Sequence, residues 1–348
     1  MTTVIRSALA TSIGAAMLLL SACGGQDQAP ASDAGPASAS AVGMIQIDGS
    51  STVYPITEAV AEEFQGANQG KIKVTVGVSG TGGGFKKFCR GELDIANASR
   101  PIQKSEMEAC AAAGVRYFEI PIAYDALTVV VHPDNPLNSI SIADLRTMWA
   151  PEAQGKIMRW NQVNPAFQDA DLKLYGAGSD SGTFDYFTEA VVGKAKSSRG
   201  DFTASEDDNT LVQGVSQDVQ SIGYFGFAYY FENRDKLKAL AIQASPDSAP
   251  VPPTPETVID GTYMPLARPL FVYVSDKAWA RPEIKNLLNF YLDNAQSLVG
   301  EVGFVPLPQS AYAIVRKHLA DGKMGTVFGG EPATAITIEE LLRREAAL

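Results

Sequence analysis

Three short turns rich in glycine, serine and threonine each stand between a strand-like run and a helix-like run. They are Gly49-Ser50-Ser51-Thr52, Ser79-Gly80-Thr81-Gly82-Gly83-Gly84 and Gly178-Ser179-Asp180-Ser181-Gly182-Thr183. A chain that repeats this step is constrained to α/β architecture with largely parallel sheets, in which ligands sit at the carboxyl ends of strands. The first turn of a helix leaves backbone N–H groups unpaired, at the partly positive end of the helix dipole. Glycine lets the backbone come close to a ligand, and hydroxyls add donors that rotate to suit it. Three such ends meeting at one point would wrap an oxyanion in hydrogen bonds without any cation. The turns therefore predict an anion receptor.

The rest of the body keeps the alternation. Met44–Ile47 and Lys71–Val78 read as strands, and between them Ile56, Ala59, Val60 and Phe64 share a helical stripe that Pro55 opens. A short strand at Asp94–Ala96, a helix near Ser105–Ala113 and the apolar strand Tyr124–Val131 follow. A second set comprises a helix at Ile142–Trp149, a strand at Leu172–Tyr175 and a helix from Thr183 to about Val192. Strands at Ile222–Gly226, Leu237–Ile242 and Leu270–Val274 come next, with a proline-rich loop from Pro246 to Pro255 and a mainly helical end. About 300 residues in this pattern suffice for two domains with cores.

The N-terminus reads as an export signal. Residues 1–22 carry one charge, Arg6, and an apolar run, Ile13–Leu20, too short to span a bilayer. Leu20-Ser21-Ala22-Cys23 resembles the bacterial lipoprotein cleavage box, which implies lipidation of Cys23 as the mature N-terminus. Residues 23–43 hold no large apolar side chain except Val42, a composition that cannot offset its ordering entropy and serves as a tether. In an exported, oxidised chain the two remaining cysteines, Cys89 and Cys110, are expected to pair. Loss of residues 1–22 removes one of 28 basic residues and none of 39 acidic ones, so the net charge moves from −11 to −12. That balance argues against nucleic acid, and leaves local dipoles to attract an anion.

The phrases Asp48-Gly49-Ser50-Ser51-Thr52-Val53-Tyr54-Pro55, Val78-Ser79-Gly80-Thr81-Gly82-Gly83-Gly84-Phe85 and Asp180-Ser181-Gly182-Thr183-Phe184 resemble those of the periplasmic phosphate-binding proteins of bacterial ABC importers, the PstS family. The resemblance runs from about Met44 over nearly the whole remaining chain. It implies a two-lobed, type II periplasmic-binding-protein fold with two hinge crossings and the anion in the interlobe cleft. Residues 44–124 plus 266–348 would form the first lobe and 125–265 the second, with crossings near Ile122–Tyr124 and Ala267–Pro269. It also implies phosphate as ligand, permease subunits of an importer as partner, and a location in the periplasm or on the outer face of the envelope, held by the N-terminal lipid.

Carried over position by position, the ligand set is Ser51, Thr52 and Val53 from the first turn, Ser79 or Thr81 from the second, and Ser181, Gly182 and Thr183 from the third. The sequence departs from the family twice. Many members place a carboxylate where Ser99 stands, to accept the proton of hydrogen phosphate, and an arginine where Ala177 stands. Ser99, whose hydroxyl can also accept that proton, and Arg100 beside it, as the expected substitute for the arginine, complete the ligand set. Asp180, Asp208 and Asp48 are candidates for the acceptor, and Gln213 a further cleft candidate.

Other functions fit less well. No nucleophile-elbow or P-loop spacing occurs. His132 and His318 lie far apart, and no cofactor or metal constellation is visible. A receptor for sulfate, molybdate or tungstate is the nearest alternative. A secreted phosphatase-like enzyme and an adhesive lipoprotein are remote ones.

Overall fold

The structure is a computed structural model that describes residues 43–333 and 335–348. The signal segment, Cys23 and the tether before Gly43 lie outside the described residues. Among the described residues no helix is long and apolar enough to cross a membrane.

The first turns of chain give β1 (Gly43–Gly49), α1 (Tyr54–Ala67), β2 (Ile72–Val76), α2 (Gly80–Cys89), β3 (Ile95–Ala98) and α3 (Lys104–Ala112). The 15-residue strand β4 (Tyr117–Val131) follows. The elements that shape the site beyond it are β5 (Lys173–Ala177), α4 (Gly182–Phe187), β6 (Thr203–Ser205), α5 (Asp208–Ser216), β7 (Ser221–Gly226) and β8 (Ala267–Ser275). The longer helices toward the end of the chain are α6 (Pro282–Glu301), α7 (Gln309–Asp321) and α8 (Ile338–Ala347).

The strands lie in the order β2-β1-β3-β8-β4-β7-β5-β6. At one end β2, β1 and β3 are parallel, and at the other β7, β5 and β6 are parallel. Between them β8 runs antiparallel to β3 and β4, and β4 antiparallel to β7. The two long central strands therefore join two parallel half-sheets, which makes the molecule two-lobed. Tyr117–Ala126 of β4 pairs with β8 on one side, while Leu127–Val131 pairs with β7 on the other. All 15 residues of β4 are buried. Its valines and isoleucines each contribute about 1.5–3 kcal/mol of hydrophobic stabilisation.

Strand β4 starts seven residues before the expected Tyr124, because Pro121 and Glu119 disguise its beginning. Pro121 is tolerated where the β4–β8 register shifts, leaving Ile122 unpaired in the ladder. Helix α1 follows expectation: Ile56, Val60 and Phe64 face inward, and Phe64 meets Phe290 of α6 at 5.7 Å between ring centroids. The helix expected from Thr183 to Val192 is α-helical only to Phe187 and then widens into a π-turn over Thr188–Val192. The aromatic run leaves its strand at Gly226, and Phe227–Glu232 is helical. Cys89 and Cys110 form a disulfide that ties α2 to α3.

Candidate anion-binding cleft

Each of the three turns lies where a strand ends and a helix begins: β1 to α1, β2 to α2 and β5 to α4. The first is fixed by close backbone contact. Gly49 has φ +138°, and a Cβ there would lie 2.3 Å from the Asn97 carbonyl oxygen, so only glycine fits. That same carbonyl accepts from Ser50 N at 3.0 Å, and the Asn97 side chain accepts from Thr57 Oγ1 of α1 at 3.0 Å. Strand β3 thereby holds both the turn and the helix it opens. Ser51 is buried, and its carbonyl accepts from Tyr229 Oη at 3.1 Å.

The turns converge. Thr52 Oγ1 lies 3.0 Å from Thr183 Oγ1, joining the first and third turns across the cleft. Thr81 Oγ1 lies 3.1 Å from Ser99 Oγ and accepts from Ser99 N at 3.1 Å. A Cβ on Gly182 would sit 2.5 Å from both of those hydroxyl oxygens. Gly82 N donates to the Asp180 carbonyl at 2.8 Å, bringing the second and third turns together. Ser181 caps α4 by accepting from Thr183 N at 3.1 Å. Thr52, Val53, Thr81, Ser99, Ser181, Gly182 and Thr183 are all buried around this point.

Ser79 is not among them. It is half-buried and its hydroxyl donates to Asp48 at 2.8 Å, so Thr81 is the hydroxyl the second turn brings inward. Asp48 is committed to Ser79, to Gly49 N and to Lys87. Asp180 pairs with the exposed Lys86 at 2.7 Å, and Gln213 faces solvent.

Two buried arginines, Arg100 and Arg268, lie beside the turns. Arg100 is buried, but its fork is taken by Glu106 at 2.8 Å on each terminal nitrogen, and its Nε donates to Asp185 at 2.7 Å. With those donors engaged it has no hydrogen bond to the threonines of the turns. Arg268, from β8, is the guanidinium that reaches those threonines. Its Nη2 donates to Thr183 Oγ1 at 3.0 Å and to Thr52 Oγ1 at 3.3 Å, and Nη1 reaches the Gly182 carbonyl at 3.4 Å. Asp125 of β4 holds it from behind, accepting from Nη2 at 3.0 Å and Nε at 3.2 Å. Both partners are fully buried, and desolvation raises the Asp125 carboxyl above its ordinary range although Arg268 acts against it. Arg268 had a sequence signal: one charge inside an otherwise apolar strand, at a crossing already singled out.

Asp208 opens α5 and is buried, and among the described residues neither of its carboxylate oxygens has a hydrogen-bond partner. Burial pushes its carboxyl up to about 7, with Arg268 pulling it down and Asp125 pushing it further up. Its electrostatic partners are thus the charged pair of the cleft. Glu206, nearby in sequence, accepts from Asp180 N at 3.0 Å and steadies the third turn.

Fold and cleft together define a solute-binding protein of the periplasmic type. Residues 34–295 match a family described as a PBP superfamily domain. Protein SphX of Synechococcus elongatus is 55% identical over 302 residues, which is 87% of this chain and 89% of that protein. The phosphate-binding protein PstS of Staphylococcus saprophyticus is 37% identical over 315 residues, 89% of this chain and 92% of that protein. A crystal structure of a possible phosphate binding protein from Planctomyces limnophilus superposes with a TM-score of 0.60 at 45% identity, covering 81% of this chain and 99% of that one. The chain belongs to the PstS family of periplasmic phosphate-binding proteins.

Proposed function

We propose that the chain captures inorganic phosphate in this cleft and delivers it to the permease subunits of an ABC importer, tethered to the membrane by a lipid on Cys23. The observation that carries the reading is the convergence of three helix-opening turns on Thr52 and Thr183, with the buried Arg268 bridging the two hydroxyls at 3.3 and 3.0 Å. The ligand set is Thr52 and Val53 with Ser51 behind them, Thr81, Ser99, Ser181, Gly182, Thr183 and Arg268. The lobes are 44–124 plus 266–348 and 125–265, a reading supported by β4, which changes partner from β8 to β7 after Ala126. Charge-assisted hydrogen bonds contribute roughly 1.5–3 kcal/mol each, so several exceed the ~8 kcal/mol of micromolar binding.

Asp208 supports phosphate over sulfate. In its ionised form, which Arg268 favours, the Asp208 carboxylate accepts the proton of hydrogen phosphate and repels an oxyanion that carries none. The chain makes and breaks no bond in this role. Calorimetry with phosphate, arsenate, sulfate, molybdate and tungstate tests the assignment. Phosphate and arsenate should bind at neutral pH. Tighter binding of sulfate than of phosphate would replace the ligand while leaving the fold in place.

A further inference from the structure

Arg100 lies outside the ligand set, yet it is buried and carries four hydrogen bonds, one of them to the other lobe. It follows β3 in the first lobe. There Glu106 of α3 takes both terminal nitrogens at 2.8 Å, and the Pro101 carbonyl accepts from Nη1 at 3.1 Å. The remaining nitrogen, Nε, donates to Asp185 Oδ2 at 2.7 Å. Asp185 belongs to α4 in the other lobe, two residues beyond Thr183. Gln103, at the start of α3, adds a longer donation to the same oxygen at 3.3 Å. The Arg100 and Asp185 side chains are only 6% and 2% exposed.

Helix α4 is also the helix whose first turn presents Ser181, Gly182 and Thr183 to the cleft. Any opening that carries α4 away from the first lobe must break the Arg100–Asp185 bond. The Arg100–Glu106 fork stays intact, since both residues lie on the same side. Asp185 is the partner that changes environment. Its nearest cation on its own side is Lys196, half-exposed, with Nζ 3.8 Å from Oδ1. Among the described residues Oδ1 makes no hydrogen bond. A buried pair of this kind sets a large desolvation cost against a large attraction, and the two nearly cancel. Such a balance suits a bond that forms and breaks with each ligand cycle.

We propose that Arg100 is a positioning residue: through Asp185 it latches α4, and with it the Ser181–Thr183 turn, against the first lobe when the anion is held. This rests on the phosphate reading of the cleft. The test is stopped-flow phosphate binding by the wild type, Arg100→Gln, Asp185→Asn and the double variant, with thermal unfolding of the same four proteins without phosphate. Association should stay within about 2-fold of wild type, and dissociation should rise roughly 10-fold in either single variant, as expected for a contact made after encounter. The double variant should dissociate no faster than the faster single one, and the thermal midpoints without phosphate should show no such coupling. Unchanged dissociation in Asp185→Asn, or equal coupling in the ligand-free midpoints, overturns the latch and leaves the cleft assignment standing. Failure of the wild type to bind phosphate overturns both, and the wild-type arm identifies that case.

Discussion

Replacing Asp208 with asparagine separates the acceptor role from mere burial. The carboxyl rises from an ordinary 3.8 to about 7, a gap of roughly 3 units at 1.36 kcal/mol each, or about 4 kcal/mol at most. Because the folded value is the higher one, the stability tied to this group is complete below pH ~4 and is lost as pH rises through about 7. Denaturant unfolding without phosphate, in non-phosphate buffers between pH 4 and 8, should show the wild type losing stability relative to Asp208→Asn by up to about 4 kcal/mol. Comparing the two proteins at each pH removes the other buried carboxyls that titrate in the same window, Glu119 and Glu345, raised by burial to about 7 and about 8. In calorimetry the variant should lose about 2 kcal/mol of its preference for phosphate over sulfate, the scale for a buried charged acceptor. A stability difference that does not vary with pH would refute the buried, unpartnered carboxyl. An unchanged phosphate-to-sulfate ratio would refute its part in recognition.

Three further outcomes follow from the same geometry. Arg268→Lys should weaken phosphate binding by about 2 kcal/mol in calorimetry, since an ammonium cannot reach both hydroxyls and Asp125 together, while Arg268→Gln should also cost about 3–5 kcal/mol of stability by stranding the buried Asp125. Gly182→Ala places a Cβ 2.5 Å from Ser99 Oγ and Thr81 Oγ1, and should cost about 1–3 kcal/mol in unfolding and abolish tight phosphate binding in calorimetry. Reducing Cys89–Cys110, 21 residues apart, should lower stability by about 3 kcal/mol with phosphate affinity nearly unchanged, because the bond joins α2 to α3 away from the three turns.

The alternation of strands and helices was legible because it is written in local chemistry: Pro55 opening α1, the apolar stripe beneath it, and glycine turns after strands. The disulfide was legible from compartment and count. The charge partners were not. Arg100 and Arg268 each sit just before a proline in sequence, and the one mark that sets Arg268 apart, its place inside an apolar strand, does not say which guanidinium meets the three turns. That choice is made by α3, which supplies Glu106 to one, and by β4, which supplies Asp125 to the other. Asp208 was hidden for a similar reason. It stands in an acidic run with Glu206 and Asp207, and only the packing of α5 takes it out of solvent. Between Ser79 and Thr81 the sequence offers no difference, and the proposal of Thr81 is supported by Asp48, which occupies the Ser79 hydroxyl.

A crystal structure of the protein grown with phosphate and without sulfate tests the central claim most directly. The account predicts density for the anion within hydrogen-bond distance of Thr52, Thr81, Thr183 and the Arg268 guanidinium, with Arg100 still held by Glu106 and Asp185. An anion bound by Arg100 instead, or bound outside the convergence of the three turns, would contradict it.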